Sequence, residues 1–225
     1  MKTIVITGAS RGIGLTTTKK FLSEGWRVIG TYLNTPIPIS HQNLSVIQFD
    51  QGNSASIAKT ADSIKKTAPE IDAVVNCAGI ILDVQDTEAD IEKIRKTFEV
   101  DVLGIIDFTE RLLPNLRKGS HIVNIDSLYG TFSFPIDDTS STGYRIAKAG
   151  LNMYTRTLAF RLKDRGIIAS SLDPGWVKTD MGNKGATETE KPDREPEEPA
   201  EDIYHLVTAV HESGYFWKLG KKREW

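Results

Sequence analysis

Three glycines near the amino terminus, Gly8, Gly12 and Gly14, stand in Thr7-Gly-Ala-Ser-Arg-Gly-Ile-Gly14, directly after the apolar run Ile4-Val5-Ile6. A run of that kind fills a buried parallel strand. Glycines let the chain turn sharply and bring its backbone close to a ligand. A helix beginning near Gly12 offers free N–H groups and its positive dipole end to an anion. Together these features suit the phosphates of a dinucleotide. The spacing is Gly-x-x-x-Gly-x-Gly rather than Gly-x-Gly-x-x-Gly, so its place between a strand and a helix carries the reading against a simple tight turn. A second pair, Tyr144 and Lys148, lies four residues apart, which puts both on one face of a helix. A phenol of pKa about 10 beside a cation gains phenolate character and can exchange protons near neutral pH. The plainer reading of that pair is a solvated helical face. Ser127, which follows a strand, reads by itself as a turn serine.

These groups must be positioned by regular elements, and the apolar pattern supplies them. A helix from about Gly12 to Glu24 ends at Gly25, and strands follow at Arg27–Thr31 and, after a proline-containing loop at 34–45, at Val46–Phe49. Ile57, Ala61, Ile64 and Ala68 recur at helical spacing before a strand at Ala73–Asn76. Phe98, Val102, Ile105, Thr109, Leu112 and Leu116 predict one long helix, followed by a strand at Ile122–Ile125, a helix at Thr142–Lys163 and a strand at Ile167–Leu172. Residues 183–202 are rich in Glu, Pro and Lys and read as a flexible loop on the substrate side. A last helix around Ile203–Val210 and an edge strand at Tyr215–Trp217 complete the chain. Strands alternating with helices imply an α/β fold: a single-domain, Rossmann-type, doubly wound parallel sheet over residues 1–225, with ligands beyond the strand carboxyl ends. The glycine turn, Asp50, Asn76, Ser127 and Asp173-Pro174-Gly175 all fall at such ends.

Composition narrows the class. Charged residues make up 26% of the 225 and the formal charge is -2, which argues against nucleic acid and against disorder. No run of about 18 apolar residues occurs, and a strand begins after Lys2, so neither a membrane span nor a signal peptide is expected and the cytoplasm is the expected compartment. Cys77, the one cysteine, has no disulfide partner, and His41, His121, His205 and His211 show no ligand spacing with it, so no metal is expected.

The chain resembles the short-chain dehydrogenases/reductases through Thr7-Gly-Ala-Ser-Arg-Gly-Ile-Gly14, Asn76-Cys-Ala-Gly79, Ser127, Tyr144-x-x-x-Lys148 and Pro174-Gly175. The tail from Ser213 and the stretch Pro174–Met181 are most similar to the C-factor or sniffer-type carbonyl reductases. This resemblance implies an NAD(P)-dependent enzyme that interconverts a small-molecule carbonyl compound and its alcohol by hydride transfer. Tyr144 would be the general acid, Ser127 would position the substrate oxygen, and Lys148 would lower the tyrosine pKa and bind the ribose hydroxyls. Two O–H donors aimed at the carbonyl oxygen would stabilise developing alkoxide charge, while the nicotinamide performs the redox chemistry. Asp101 stands where the family often has an Asn that supports a water relay, and it is a candidate fourth catalytic residue. Asp126 stands where a second serine is common, and the interval from Ser127 to Tyr144 is long for the family.

On the cofactor side the resemblance implies contacts from Gly8, Ser10, Arg11, Gly12, Ile13 and Gly14, from Tyr32 and Asn34 after the second strand, and from Asp50 and Gln51 around the adenine. It further implies that Asn76, Ala78 and Gly79 line the adenosine ribose, that Tyr144 and Lys148 meet the cofactor, and that Pro174, Gly175, Val177 and Thr179 lie on the nicotinamide side. Thr31-Tyr32-Leu33-Asn34 lacks the acid that NAD-preferring members use, and the Arg11 guanidinium is shaped for a 2′-phosphate, so NADPH/NADP+ is expected over NADH. Tyr129, Phe132, Phe134, Trp176 and Met181 suit an apolar or aromatic substrate, or pack the loops. The long helices at 97–116 and 142–163 resemble the family's dimer-forming pair; they suit a homodimer or homotetramer, or packing on the sheet alone. A non-catalytic NADPH-sensing regulator on the same fold is the competing reading.

Overall fold

The protein is described by a computed structural model covering residues 1–136 and 138–225. Its strands are β1 (Thr3–Ile6), β2 (Arg27–Tyr32), β3 (Leu44–Gln48), β4 (Ile71–Asn76), β5 (Leu116–Ile125), β6 (Ile168–Asp173), β7 (Tyr215–Lys218) and β8 (Lys221–Arg223). They form one sheet in the order β3-β2-β1-β4-β5-β6-β7-β8, parallel throughout except for the antiparallel β7–β8 pair. The helices are α1 (Gly12–Ser23), α2 (Ser54–Thr67), α3 (Ile91–Phe98), α4 (Ile105–Leu112), α5 (Thr142–Arg161), α6 (Asp180–Asn183) and α7 (Glu197–Ala209).

Period-two alternation in β1 explains the two covered faces. Val5 belongs to the core beneath α2, α4 and α5, with Phe108, Leu151 and Leu158, whereas Ile4 and Ile6 belong to the opposite core with Phe21 of α1 and Ile203 and Leu206 of α7. The strand order reverses between β1 and β4, which opens a crevice beyond their carboxyl ends. The doubly wound parallel sheet is therefore present as expected.

Four local expectations are corrected. The helical stripe does not run unbroken to Leu116: α3 passes through a π-helical turn at Glu99–Gly104 into α4, Pro114 sits in a short 3-10 turn after it, and Leu116 already belongs to β5, beside Ile71. Proline cannot continue the hydrogen-bond ladder, so the stripe changes its period there. The third strand starts at Leu44, whose pairing with Val28 outweighs the weak pattern of an edge strand. Residues 197–202 are not loop but the opening of α7; Glu197 and Glu198 favour the positive end of that helix, and a proline costs little in a first turn. Finally, Tyr215–Trp217 is not an edge, because β8 pairs along its outer side.

Candidate functional site

The glycine turn leaves β1 and enters α1 without a side-chain cap. The first intrahelical bond runs from Leu15 N–H to the Arg11 carbonyl, so the N–H groups of Gly12, Ile13 and Gly14 precede the ladder and face out of the helix end. Gly14 is required by close approach, since a Cβ there would be driven into the carbonyl of Gly8. Gly12 has φ +51° and a Cβ on it would stand 3.0 Å from Thr179 Cγ2, so the turn after β1 and the segment after β6 face each other across the crevice. Thr7 secures the neighbouring wall: its Oγ1 accepts from the N–H groups of Cys77 and Ala78, both at 3.0 Å. These residues fit a diphosphate between an open helix end and two backbone walls.

Arg11 is exposed and its Nη1 lies 3.2 Å from Asp180 Oδ2, directed toward α6 rather than toward the end of β2. Ser10 lies in the same turn, and Tyr32 closes β2 with Asn34 exposed beyond it. Asp50 is exposed and its Oδ1 accepts from Gly52 N–H at 2.9 Å. Two expected cofactor side chains are instead committed inside the protein. Asn76 donates to Thr109 Oγ1 at 2.9 Å and to Asn124 Oδ1 at 2.7 Å, and Asn124 goes on to Thr155, so its amide joins β4, α4, β5 and α5 rather than lining a ribose. Gln51 donates to the carbonyls of Ala78 and Val100 at 3.1 and 2.9 Å, tying the loop after β4 to the π-helical turn. Val177 is buried and pairs with Arg194 through its backbone.

On the other side of the crevice Ser127 caps a short 3-10 turn after β5; its Oγ accepts from Tyr129 N–H at 3.2 Å, which leaves the hydroxyl proton to donate. The Tyr129 ring meets Tyr144 edge-on, with centroids 6.4 Å apart, so Tyr129 touches Ser127 through its backbone N–H and Tyr144 through its ring. Tyr144 lies in the first turn of α5, and Lys148 Nζ stands 5.4 Å from its ring centre. The Lys148 side chain is 6% exposed; it donates to the Ile125 carbonyl at 3.1 Å and lies 3.4 Å from Asp101 Oδ2, which is wholly buried. Asp101 Oδ1 accepts from Ile80 N–H at 2.9 Å, and Gly79 packs against the same carboxylate.

The electrostatics correct one expectation. Burial pushes the Tyr144 phenol up to about 12; Lys148 lowers it, but the acids Asp101, Asp126 and Asp173 add to burial, so the lysine moderates a rise and does not produce a fall. Burial works against the charge on Lys148, yet Asp101, Tyr144 and Asp126 outweigh it and its pKa is raised, which keeps the ammonium charged. Asp126 is raised to about 8, first by burial and then by Asp173 and Asp101, against the lowering effect of Lys148 and of the Ser127 N–H that it accepts at 2.9 Å.

Two residues were missed from sequence. Asp83, 3% exposed, accepts from Gly143 N–H at 2.6 Å through Oδ2 while its carbonyl accepts from Ser141 N–H at 2.9 Å, so it caps the helix that carries Tyr144 from the loop after β4. Nothing in its local spacing signals a contact sixty residues away. Arg194 holds the Pro174 carbonyl at 2.6 Å; the signal available was the one arginine inside a run rich in Glu, Pro and Lys.

A family model described as short chain dehydrogenase matches residues 2–190. Oxidoreductase UcpA of Salmonella typhimurium is 27% identical over 223 residues, covering 93% of this chain and 80% of that protein. The C-signal protein of Myxococcus xanthus is 33% identical over 120 residues, 52% of this chain and 72% of that one. Among solved structures, NADPH-bound carbonyl reductase from chicken fatty liver superimposes with a TM-score of 0.87 at 24% identity, covering 100% of this chain and 94% of that one.

Proposed function

The chain belongs to the short-chain dehydrogenase family, and we propose that within it the protein is an NADP(H)-dependent oxidoreductase that interconverts a carbonyl compound and its alcohol. The observation that supports this reading is a buried, charged Lys148 held 5.4 Å from the Tyr144 ring centre on α5, with Ser127 at the end of β5 and the uncapped end of α1 after β1 all at the carboxyl ends of the sheet strands. Bound NADPH supplies the hydride. The chain's part is to hold the substrate oxygen between the Ser127 and Tyr144 hydroxyls and to deliver the phenolic proton as alkoxide charge develops. A phenol raised to about 12 stays protonated near neutral pH, the form that carbonyl reduction needs. Lys148, fixed by Ile125 and Asp101, lowers the cost of the phenolate that remains, and Asp101 acts on the tyrosine through that lysine.

Gly8, Ser10, Gly12, Ile13 and Gly14 would cradle the diphosphate, Asp50 would meet the adenine, and Ala78 and Gly79 would flank the ribose. Pro174, Gly175, Val177 and Thr179 would form the nicotinamide wall. The end of β2 carries Tyr32 and Asn34 and no acid, and among the described residues the Arg11 guanidinium is held only by an exposed pair with Asp180, which costs little to exchange for a 2′-phosphate. Both features favour NADPH over NADH. The rim is aromatic: Tyr129 packs on Phe134 with centroids 5.8 Å apart and Phe132 is 92% exposed, which suits an apolar or aromatic carbonyl substrate. Exposed Ile146, Met153 and Phe160 recur along α5 and favour pairing with a second copy.

The test is NADPH oxidation against a panel of aromatic and aliphatic ketones and aldehydes, with Tyr144→Phe as control. The variant is expected to lose roughly a hundredfold or more in turnover while still binding NADPH. Wild-type binding without turnover across the panel would favour the NADPH-sensing regulator, and equal affinity for NADH would overturn the cofactor preference.

A further inference from the structure

Arg194 lies outside the nucleotide-facing residues, yet its side chain is only 11% exposed. Nη1 donates to the Pro174 carbonyl at 2.6 Å, Nη2 donates to Asp202 Oδ2 at 3.0 Å, and Nε lies 3.7 Å from Glu198 Oε1. Its aliphatic stem covers the next residue of the turn, where a Cβ on Gly175 would stand 2.7 Å from Arg194 Cδ. The backbone joins in, because Arg194 N–H donates to the Trp176 carbonyl at 3.1 Å and the Arg194 carbonyl accepts from Lys178 N–H at 2.9 Å. Two residues on, the Pro196 carbonyl accepts from Thr16 Oγ1 of α1 at 2.8 Å. The stretch 194–196 thus straps the turn after β6 to α7 on one side and to the glycine-turn helix on the other.

We infer that Arg194 is a positioning residue for the cofactor: by bridging the Pro174 carbonyl to Asp202 on α7 it fixes the Pro174–Gly175 turn as the wall of the nicotinamide half of the site. The inference rests on the NADP(H) reading above. A guanidinium presents several donors in a rigid fork, so one side chain satisfies a carbonyl and a carboxylate together, which a lysine ammonium does less well. Truncation leaves the Pro174 carbonyl and the Asp202 carboxylate without this partner and uncovers Gly175, so the turn relaxes. The adenosine half is built by the glycine turn and the ends of β2 and β3, and Thr16 holds Pro196 independently of the Arg194 side chain, so that half should be untouched.

The experiment is titration of the full-length protein and of Arg194→Ala, Arg194→Lys and Asp202→Asn with two ligands, NADPH and adenosine 2′,5′-bisphosphate, which carries only the adenosine half. Arg194→Ala is expected to weaken NADPH about tenfold, the worth of a charge-assisted hydrogen bond, with Arg194→Lys and Asp202→Asn in between. Affinity for the bisphosphate should stay within about twofold, because its contacts lie elsewhere. Equal weakening of both ligands would mean general loosening and would overturn the assignment, as would unchanged NADPH affinity in all three variants. Should the wild type bind neither ligand, the NADP(H) reading itself falls, and the assignment with it.

Discussion

Replacing Asp126 by Asn should stabilise the protein, and by an amount that depends on pH. The carboxyl is 2% exposed, its Oδ1 accepts from Ser127 N–H at 2.9 Å, and its Oδ2 has no hydrogen-bond partner among the described residues. It is faced by Lys148 from α5, by Asp173 at the end of the neighbouring β6 and by Asp101 from the π-helical turn. Its pKa rises from 3.8 to about 8 in the folded protein. An acid that holds its proton more tightly when folded contributes most favourably below its unfolded pKa; that contribution erodes as pH rises and is fully lost above the folded pKa. At 1.36 kcal/mol per pH unit the full penalty is about 5–6 kcal/mol, of which roughly 1–2 kcal/mol has developed at pH 5 and about 5 kcal/mol at pH 8. Asparagine keeps the acceptor for Ser127 N–H and cannot ionise, so it escapes the penalty. For a chain of this length the gain of about 3–4 kcal/mol between pH 5 and pH 8 corresponds to roughly 10 °C in Tm. The assay is thermal unfolding of wild type and variant in parallel at pH 5, 6, 7, 8 and 9. All other titrating groups are common to the two proteins, so the difference reports Asp126 together with its coupling to Lys148, Tyr144, Asp101 and Asp173. A gap in Tm that widens from pH 5 to 8 and then levels is expected; a gap independent of pH would refute the reasoning.

Asp101→Asn has the opposite sign. It keeps an acceptor for Ile80 N–H but removes the carboxylate 3.4 Å from a buried ammonium, a loss of about 3–5 kcal/mol for a broken buried pair. A fall in Tm of roughly 10 °C should follow. Because Asp101 also raises the Tyr144 phenol, the alkaline limb of the pH–rate profile should move to lower pH, and an unmoved limb would count against electrostatic coupling between the two. Gly14→Ala forces a Cβ into the Gly8 carbonyl, so the turn must open; about 1–3 kcal/mol of stability and at least roughly tenfold in NADPH affinity should be lost, as read by melting and titration.

The sheet was legible because β1, β4 and the second half of β5 carry apolar runs bounded by turn residues, and strand–helix alternation leaves few topologies. The strand ends then located Ser127, Asp50 and the glycine turn without any long-range information. What failed were features decided by contacts between distant segments. Asn76 looks like a polar residue at a strand end, and only the fold shows that Thr109 and Asn124 claim its amide. Gln51 is the same case, claimed by Ala78 and Val100. Glu197 and Glu198 look like solvated loop when charge is counted and like a helix start when charge is placed against a dipole. Tyr144 shows the limit most directly: spacing reveals the lysine that lowers its pKa, but not the burial and the three acids that raise it.

Those acids can be ordered by counting the charges that face them. Asp101, Asp126 and Asp173 are all buried, and two cations reach them: Lys148 stands 3.4 Å from Asp101, and Lys218, from β7, stands 2.8 Å from Asp173. Each cation thus has its own acid, and Asp126 is left with no ion pair among the described residues and with two carboxylates nearby. A third buried negative charge would lack compensation, so the cheaper state is a proton on Asp126, in accord with its rise to about 8. In that state Asp126 is neutral with a hydroxyl, as the serine common at this place in the family would be. Burial raises Asp101 as well, against the lowering effect of Lys148 and the Ile80 N–H, but Asp101 has the ammonium 3.4 Å away that Asp126 lacks, so the charge that differs from a neutral amide around the Tyr144–Lys148 pair is assigned to Asp101. The charge at Asp126 returns only above its own pKa, and there it acts on Tyr144 in the same direction as Asp101, raising the phenol further as the solution becomes more basic.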